Sequence, residues 1–136
     1  MSVSMTGTYE GGLGLELQHG PSGTVIRTAA PVDNQGDGSS FSPTDLLAAA
    51  LGSCMVTLMA IVGERDGLSL EGVSFTAEKS MAASPRRVAR VDLQIQMPAG
   101  LTPDQREKLE NAALTCPVKQ SLPADLETPV TFTYPD

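Results

Sequence analysis

The sequence predicts an α+β fold built as one domain over residues 1–136. A long apolar helical segment lies near the middle of the chain, and a second helical segment with one apolar stripe follows later. Alternating apolar and polar residues, typical of half-buried strands, occupy the stretches before, between and after these helices. The length of 136 residues and the hydrophobic content of 40% suffice for one buried core.

The first predicted element is a β-hairpin over residues 8–29. In LGLELQH, the leucines Leu13, Leu15 and Leu17 share one face of a strand, and GPSG forms a turn into TVIRTA. Residues 31–40, PVDNQGDGSS, are rich in Gly, Asp and Ser, which predicts a loop leading into the long helix.

The long helix is predicted over residues 43–65. Ser42 is a favourable N-cap, Pro43 suits the first helical position, and the carboxylate of Asp45 favours the positive end of the helix dipole. Residues 46–62 carry no charge over 17 positions, close to the lower limit for a membrane span. The alanine-rich first half and the lack of aromatic or basic flanking residues favour a buried helix instead.

The remaining elements follow the long helix. Strands are predicted in GVSFTAEKSM, VARVDLQIQM and VTFTY, with inward-facing residues Val73, Phe75, Ala77, Val91, Leu93, Ile95, Met97, Val130, Phe132 and Tyr134. Between the last two, Thr102 and Gln105 form a capping-box pattern that begins the second helix. That helix is predicted to end near Thr115, because a proline discourages helical geometry in the residue before it.

Charge and composition exclude several function classes. The net charge of −7 and the pI of about 4.5 disfavour nucleic acid and anionic membranes as partners. The N-terminal segment MSVSMTGTYEGG has no signal-peptide pattern, so we expect a cytoplasmic protein with reduced thiols. His19 is the single histidine, and neither a metal site nor a nucleotide-binding loop is predicted.

The two cysteines are the candidate functional residues. Cys54 lies within the long apolar helix, where a thiol is commonly a packing residue. Cys116 precedes a proline that opens a short helix over residues 117–122, and the helix N-terminus with Lys119 predicts a lowered thiol pKa. The cysteines are 62 residues apart, so any pairing between them depends on the fold.

Two sequence blocks resemble those of the OsmC/Ohr proteins, named for osmotic induction and organic hydroperoxide resistance. FSPTDLLAAALGSCM is similar to the entry of the family's central helix, and CPVKQSL is similar to its second-cysteine motif. The resemblance implies an OsmC-like fold with a long buried central helix and an antiparallel sheet wrapped around it. It also implies an intertwined homodimer with an active site at the subunit interface.

The family resemblance also implies a chemistry. Cys54 would attack an organic hydroperoxide and become a sulfenic acid, and Cys116 would condense with it to a disulfide. A dithiol or protein thiol would reduce the pair again, and no cofactor is required.

This sequence departs from the family pattern at the groups that activate the first thiol. Thr44 stands where the peroxide-reducing members have a glutamate, and the first hairpin segment, GGLGLELQHGPSG, has no arginine. Asp45 and Arg27 are the nearest substitutes, and further candidate cations are Arg86, Arg87, Arg90 and His19.

Three functions remain open at this point. The first is thiol-dependent reduction of organic hydroperoxides in oxidative-stress defence. The second is binding of a lipid-like or other small molecule in a hydrophobic interface pocket that the cysteines merely line. The third is a redox sensor whose disulfide forms without efficient turnover.

Overall fold

The computed structural model describes residues 1–136 and contains six strands and three α-helices. The strands are β1 Met5–Gly11, β2 Gly14–His19, β3 Val25–Ala29, β4 Ser74–Ala82, β5 Arg87–Gln96 and β6 Val130–Thr133. The helices are α1 Pro43–Arg65, α2 Pro103–Leu114 and α3 Pro117–Gln120, with a short 3₁₀ helix at Val32–Asn34. The α+β class is therefore confirmed. The chain divides into two compact units, unit 1 (Met1–Leu47) and unit 2 (Ala48–Asp136).

Unit 1 contains a three-stranded antiparallel sheet in the order β1-β2-β3. The predicted hairpin corresponds to β2 and β3, which pair from Gly14 opposite Ala29 to Gln18 opposite Val25. The additional strand β1 was missed, because MTGTYEG has no alternation of apolar residues. It forms by pairing with β2 across a turn at residues 11–13, all of which have positive φ.

The start of α1 completes unit 1. Ser42 Oγ accepts a hydrogen bond from Asp45 N at 3.1 Å, and the Asp45 carboxylate accepts one from Ser42 N at 2.8 Å. This reciprocal pair satisfies two backbone donors at the helix N-terminus, and the predicted role of both residues as caps is confirmed.

Unit 2 contains the second three-stranded sheet, in the order β4-β5-β6. The β4 and β5 strands are antiparallel, whereas β6 lies parallel to β5 with Leu93 opposite Val130. The expectation of a purely antiparallel sheet is therefore wrong for this part of the chain. Val91, Leu93 and Ile95 of β5 are almost completely buried, as their alternation predicts.

Within unit 2, α1 buries one face. The buried residues from Ala48 onward are Ala48, Leu51, Gly52, Met55, Met59 and Gly63, which follow helical periodicity. The ring of Phe75 packs so closely on Gly52 that a Cβ atom there would lie 2.3 Å from it. The opposite face remains exposed at Ala50, Ser53, Thr57 and Ile61, so burial on every face is not seen in the single chain.

By length and composition, α1 could cross a membrane. About a third of its most apolar 18-residue stretch is buried within the chain. The core helices of soluble proteins can have the same length and composition. The second helix, α2, begins with the predicted capping box between Thr102 and Gln105 and ends at Leu114, one residue before the predicted position.

Candidate functional site

Helix α1 carries the first cysteine in the middle of its length. Cys54 is half-buried, and its neighbours Ser53 and Thr57 are exposed. The thiol therefore lies at the boundary between the buried and the exposed faces of the helix. A reagent in solution can approach this sulfur more readily than a sulfur in the core.

The junction of α2 and α3 carries the second cysteine. Cys116 is the N-cap residue of α3, and its Sγ accepts a hydrogen bond from Lys119 N at 3.4 Å. Its side chain is completely buried, with an exposure of 0%. Helix α3 has four residues, so it is shorter than the predicted span of 117–122.

Neither cysteine is in a disulfide, and the Cys116 thiol interacts with that of Cys54 through a side-chain hydrogen bond. Burial raises the pKa of the Cys116 thiol, and the hydrogen bond and charge interaction with Cys54 raise it further. The hydrogen bond from Lys119 N acts in the opposite direction, but burial dominates. The predicted lowering of the Cys116 pKa is therefore wrong.

Lys119 does not present a free ammonium group to the thiols. Its Nζ donates a hydrogen bond to Thr128 Oγ1 at 2.8 Å, in a half-buried setting. Thr128 follows α3 by eight residues and lies just before β6. Sequence reasoning missed this residue, because a single threonine in the segment LETPV carries no recognisable signal.

The other candidate residues have partners of their own. In unit 1, the guanidinium of Arg27 bonds to Glu16 at 2.8 Å and to Glu10 at 3.3 Å. The Asp45 carboxylate bonds to Ser42 N, as described above. Their predicted supporting roles remain predictions.

The remaining cations and the histidine lie in turns and on an exposed strand edge. In unit 2, Arg87 donates to the carbonyl oxygens of Ala83 and Pro85, and Arg90 pairs with Asp92 and Glu127. His19 Nδ1 lies 2.6 Å from Ser22 Oγ in an exposed turn, consistent with a turn residue. No group of three or more His, Cys, Asp or Glu side chains is arranged to hold a metal ion.

Comparison with known proteins places this geometry in a family. Residues 36–131 match the family model described as OsmC-like protein. A candidate osmotic stress induced and detoxification response protein from Psychrobacter arcticus is 40% identical, with a TM-score of 0.91 over 95% of this chain and 94% of that chain. No curated protein matches the chain.

Two more distant structures share the fold. An organic hydroperoxide resistance protein OsmC from Legionella pneumophila is 21% identical, with a TM-score of 0.73 over 98% of this chain and 97% of that chain. An organic hydroperoxide resistance protein from Elizabethkingia anophelis, with thiocyanate bound, is 18% identical, with a TM-score of 0.77 over 98% of this chain and 96% of that chain. The family match covers both cysteine motifs and most of the sequence, and this chain belongs to the OsmC-like protein family.

Proposed function

We propose that this protein reduces organic hydroperoxides with the thiols of Cys54 and Cys116, as part of a cytoplasmic response to oxidative or osmotic stress. The observation that carries the proposal is the contact between the two free thiols, which are 62 residues apart in sequence. The family and the stress-related names of similar proteins support the general role.

The difference in burial between the two cysteines supports the roles that we propose for them. Cys116 is fully buried, whereas Cys54 is half-buried and accessible to a peroxide. The Cys54 thiolate attacks the peroxide oxygen, the O–O bond breaks, and the alcohol leaves after it takes up a proton. Cys54 is then a sulfenic acid, and the peroxide has accepted two electrons.

The second half of the cycle uses Cys116. Its thiolate attacks the sulfur of the Cys54 sulfenic acid, the S–S bond forms, and the S–O bond breaks with release of water. A dithiol or a protein thiol returns two electrons by thiol–disulfide exchange and regenerates both thiols. Each step uses the two sulfurs of this chain and no cofactor.

The proposal includes an intertwined homodimer. Exposed hydrophobic residues in unit 1 include Met5, Tyr9, Val25 and Ile26, and Ile61 is exposed on α1 of unit 2. A second copy of the chain would cover surfaces of this kind, which a monomer seldom leaves in water. As the family resemblance implies, the active site would then lie at the subunit interface.

The test is a thiol titration in denaturant before and after treatment with cumene hydroperoxide, followed by turnover with excess dithiothreitol. We expect wild type to lose both thiols and to consume peroxide catalytically. Cys54→Ser should retain its one remaining thiol, that of Cys116. Cys116→Ser should lose the thiol of Cys54 and accumulate sulfenic acid at that residue. Survival of both thiols in wild type would contradict the proposal.

The activating cation is tested in the same assay. Arg27→Met should slow the first oxidation by about tenfold or more if Arg27 supports the Cys54 thiolate. Asp45→Asn probes the carboxylate that we propose in place of the usual glutamate. Unchanged rates in both variants would exclude these two supporting residues and leave the cysteine pair as the proposed centre.

A redox-sensing role is the second candidate, favoured by the raised pKa of the buried Cys116 thiol, which slows disulfide formation. It predicts loss of both thiols without efficient turnover in dithiothreitol. Small-molecule binding without thiol chemistry predicts ligand binding that persists in Cys54→Ser. The open cleft of about 480 Å³ at the end of α1, lined by Ala60, Glu64 and residues 67–71, includes neither cysteine.

A further inference from the structure

In the short helix α3, Lys119 makes one contact with the N-cap residue Cys116 and another with Thr128 outside the helix. The Lys119 N–H donates to Cys116 Sγ at 3.4 Å, and the Lys119 ammonium donates to Thr128 Oγ1 at 2.8 Å. A helix of four residues has little stability of its own, because its few internal hydrogen bonds do not offset the cost of ordering it. Its position therefore depends on external contacts such as the bond to Thr128.

Thr128 is a well-anchored partner for this lysine. Glu127 exchanges backbone hydrogen bonds with β5, accepting from Val91 N at 2.9 Å and donating to Ala89 O at 3.0 Å. Pro129 O accepts from Leu93 N at 2.9 Å. The residues on both sides of Thr128 are thus fixed to the central strand of the second sheet.

The hydrogen-bond partner of the Lys119 ammonium is a hydroxyl and not a carboxylate. The chain has 16 Asp and Glu side chains, yet the half-buried ammonium of Lys119 bonds to a neutral hydroxyl. A carboxylate at this position would pair with the ammonium and neutralise its positive charge. A hydroxyl can hold the lysine without that effect.

We propose that Lys119 and Thr128 form a positioning pair that keeps the Lys119 N–H directed at Cys116 Sγ while this sulfur attacks Cys54. The inference rests on the proposed Cys54 and Cys116 redox pair. The N–H favours the charged form of Cys116, so the pair increases the fraction of thiolate at a given pH. Thr128 acts through Lys119 and contacts neither sulfur in this role.

Disulfide closure can be measured without peroxide. With the aromatic disulfide dithiobis(nitrobenzoate), the Cys54 thiolate displaces one thionitrobenzoate and forms a mixed disulfide. The Cys116 thiolate then attacks Cys54 Sγ, the mixed disulfide breaks, and a second thionitrobenzoate leaves while the Cys54–Cys116 bond forms. The rate of the second release is the rate of closure.

Thr128→Val removes the hydroxyl at nearly constant volume. We expect closure at neutral pH to slow about tenfold, the factor expected from loss of one hydrogen bond, while the first release is unchanged. The apparent pKa of closure should rise, because the N–H that favours the thiolate is less well directed. The rate difference should therefore shrink at high pH, where Cys116 is ionised in both proteins.

Matched variants separate positioning from folding. Thr128→Ser should restore closure, and Lys119→Met should reproduce the defect of Thr128→Val because it keeps the N–H and removes the ammonium. Thr131→Val, the same substitution at an exposed position of β6, should behave as wild type. Combining Thr128→Val with Lys119→Met should add little to either defect.

Four results would overturn the inference. These are unchanged closure in Thr128→Val, an equal slowing at every pH, failure of Thr128→Ser to restore closure, and a wild type that releases a single thionitrobenzoate. The last result would also remove the redox pair from the proposed function. A wild type that closes its disulfide but does not react with cumene hydroperoxide would overturn the proposed function alone.

Discussion

Large hydrophobic side chains lie mainly on the surface in unit 1, residues Met1–Leu47, and mainly in the core in unit 2, residues Ala48–Asp136. Nine of the eleven exposed large hydrophobic residues belong to unit 1, although it is the smaller unit. Fifteen of the sixteen buried hydrophobic residues belong to unit 2, and Ala29 is the exception. The two units therefore differ in whether their apolar surface is covered within the single chain.

The contrast is clearest between two strands with similar sequence patterns. In β5, Val91, Leu93 and Ile95 alternate with polar residues and are buried. On the β2 side of unit 1, Leu15 and Leu17 alternate in the same way but are half-buried. An alternating pattern thus predicts a strand and its apolar face, but it does not identify what covers that face. In unit 1, a second copy of the chain is the cover that we propose.

The largest expected effect tests whether a second copy of the chain covers the apolar surface of unit 1. Ile26 of β3 is 48% exposed, and Ile26→Glu would place a charge in the proposed interface. We expect the dimer dissociation constant to rise by about a hundredfold or more, because a twofold interface contains the substitution twice. Light scattering during size-exclusion chromatography over a dilution series measures the change.

Leu114→Glu is the matched control for Ile26→Glu. Leu114 is 42% exposed but lies at the end of α2 in unit 2, outside the apolar surface of unit 1. This variant should keep the wild-type dissociation constant. Equal behaviour of the two variants would mean that the exposed residues of unit 1 are not part of a specific interface.

The second prediction concerns the dense packing of unit 2. Gly52→Ala would place a Cβ atom 2.3 Å from the Phe75 ring, so the ring or the strand that carries it must move. We expect a loss of about 1–3 kcal/mol in the free energy of unfolding, the usual cost of overpacking. Urea denaturation followed by circular dichroism measures it.

Gly63→Ala in the same helix provides the comparison. The nearest atom to its new Cβ would be Leu70 Cγ at 3.4 Å, an ordinary contact. Alanine has the higher helix propensity, so this variant should be neutral or up to about 1 kcal/mol more stable. If both substitutions destabilise the protein equally, the effect comes from α1 as a whole and not from the contact with Phe75.

The helices were predictable from the sequence because their ends depend on local chemistry. Ser42 and Asp45 cap α1, and Thr102 and Gln105 cap α2, and both patterns are visible within four residues. The strand β1 and the parallel pairing of β6 with β5 were not predictable in this way. β1 has no alternating pattern and forms by pairing with β2, whereas β6 pairs with β5, which is distant in sequence.

The site was predictable in its residues but not in its electrostatics. Both cysteines were identified from their motifs, and the fold brings their thiols together. The local sequence indicated a low pKa for Cys116 from the helix N-terminus, whereas complete burial has the larger and opposite effect. The bond from Lys119 to Thr128 also depends on tertiary packing, which no short motif encodes.

The smallest expected effect is a change in the pKa of Tyr134 in unit 2. The other tyrosine, Tyr9, lies in unit 1. Tyr9 is 60% exposed, whereas Tyr134 is half-buried and donates its hydroxyl proton to Glu110 Oε2. Burial, and then Glu110, raise the Tyr134 pKa well above its ordinary value of 10, although Arg106 stacks over the ring at 4.1 Å. In Tyr9→Phe, Tyr134 is the single tyrosine, and its titration can be followed by the absorbance of tyrosinate.

We expect Glu110→Gln in the Tyr9→Phe background to lower the Tyr134 pKa toward 10, because the amide removes the negative charge that opposes ionisation. The folded state holds this proton more tightly than the unfolded state. Its contribution to stability is therefore complete below pH 10 and is lost as the pH rises through the higher folded pKa. Tyr134→Phe should accordingly show a weaker loss of stability above pH 10 than wild type. An unchanged titration in Glu110→Gln would mean that burial alone, the property that distinguishes unit 2 from unit 1, sets the ionisation of Tyr134.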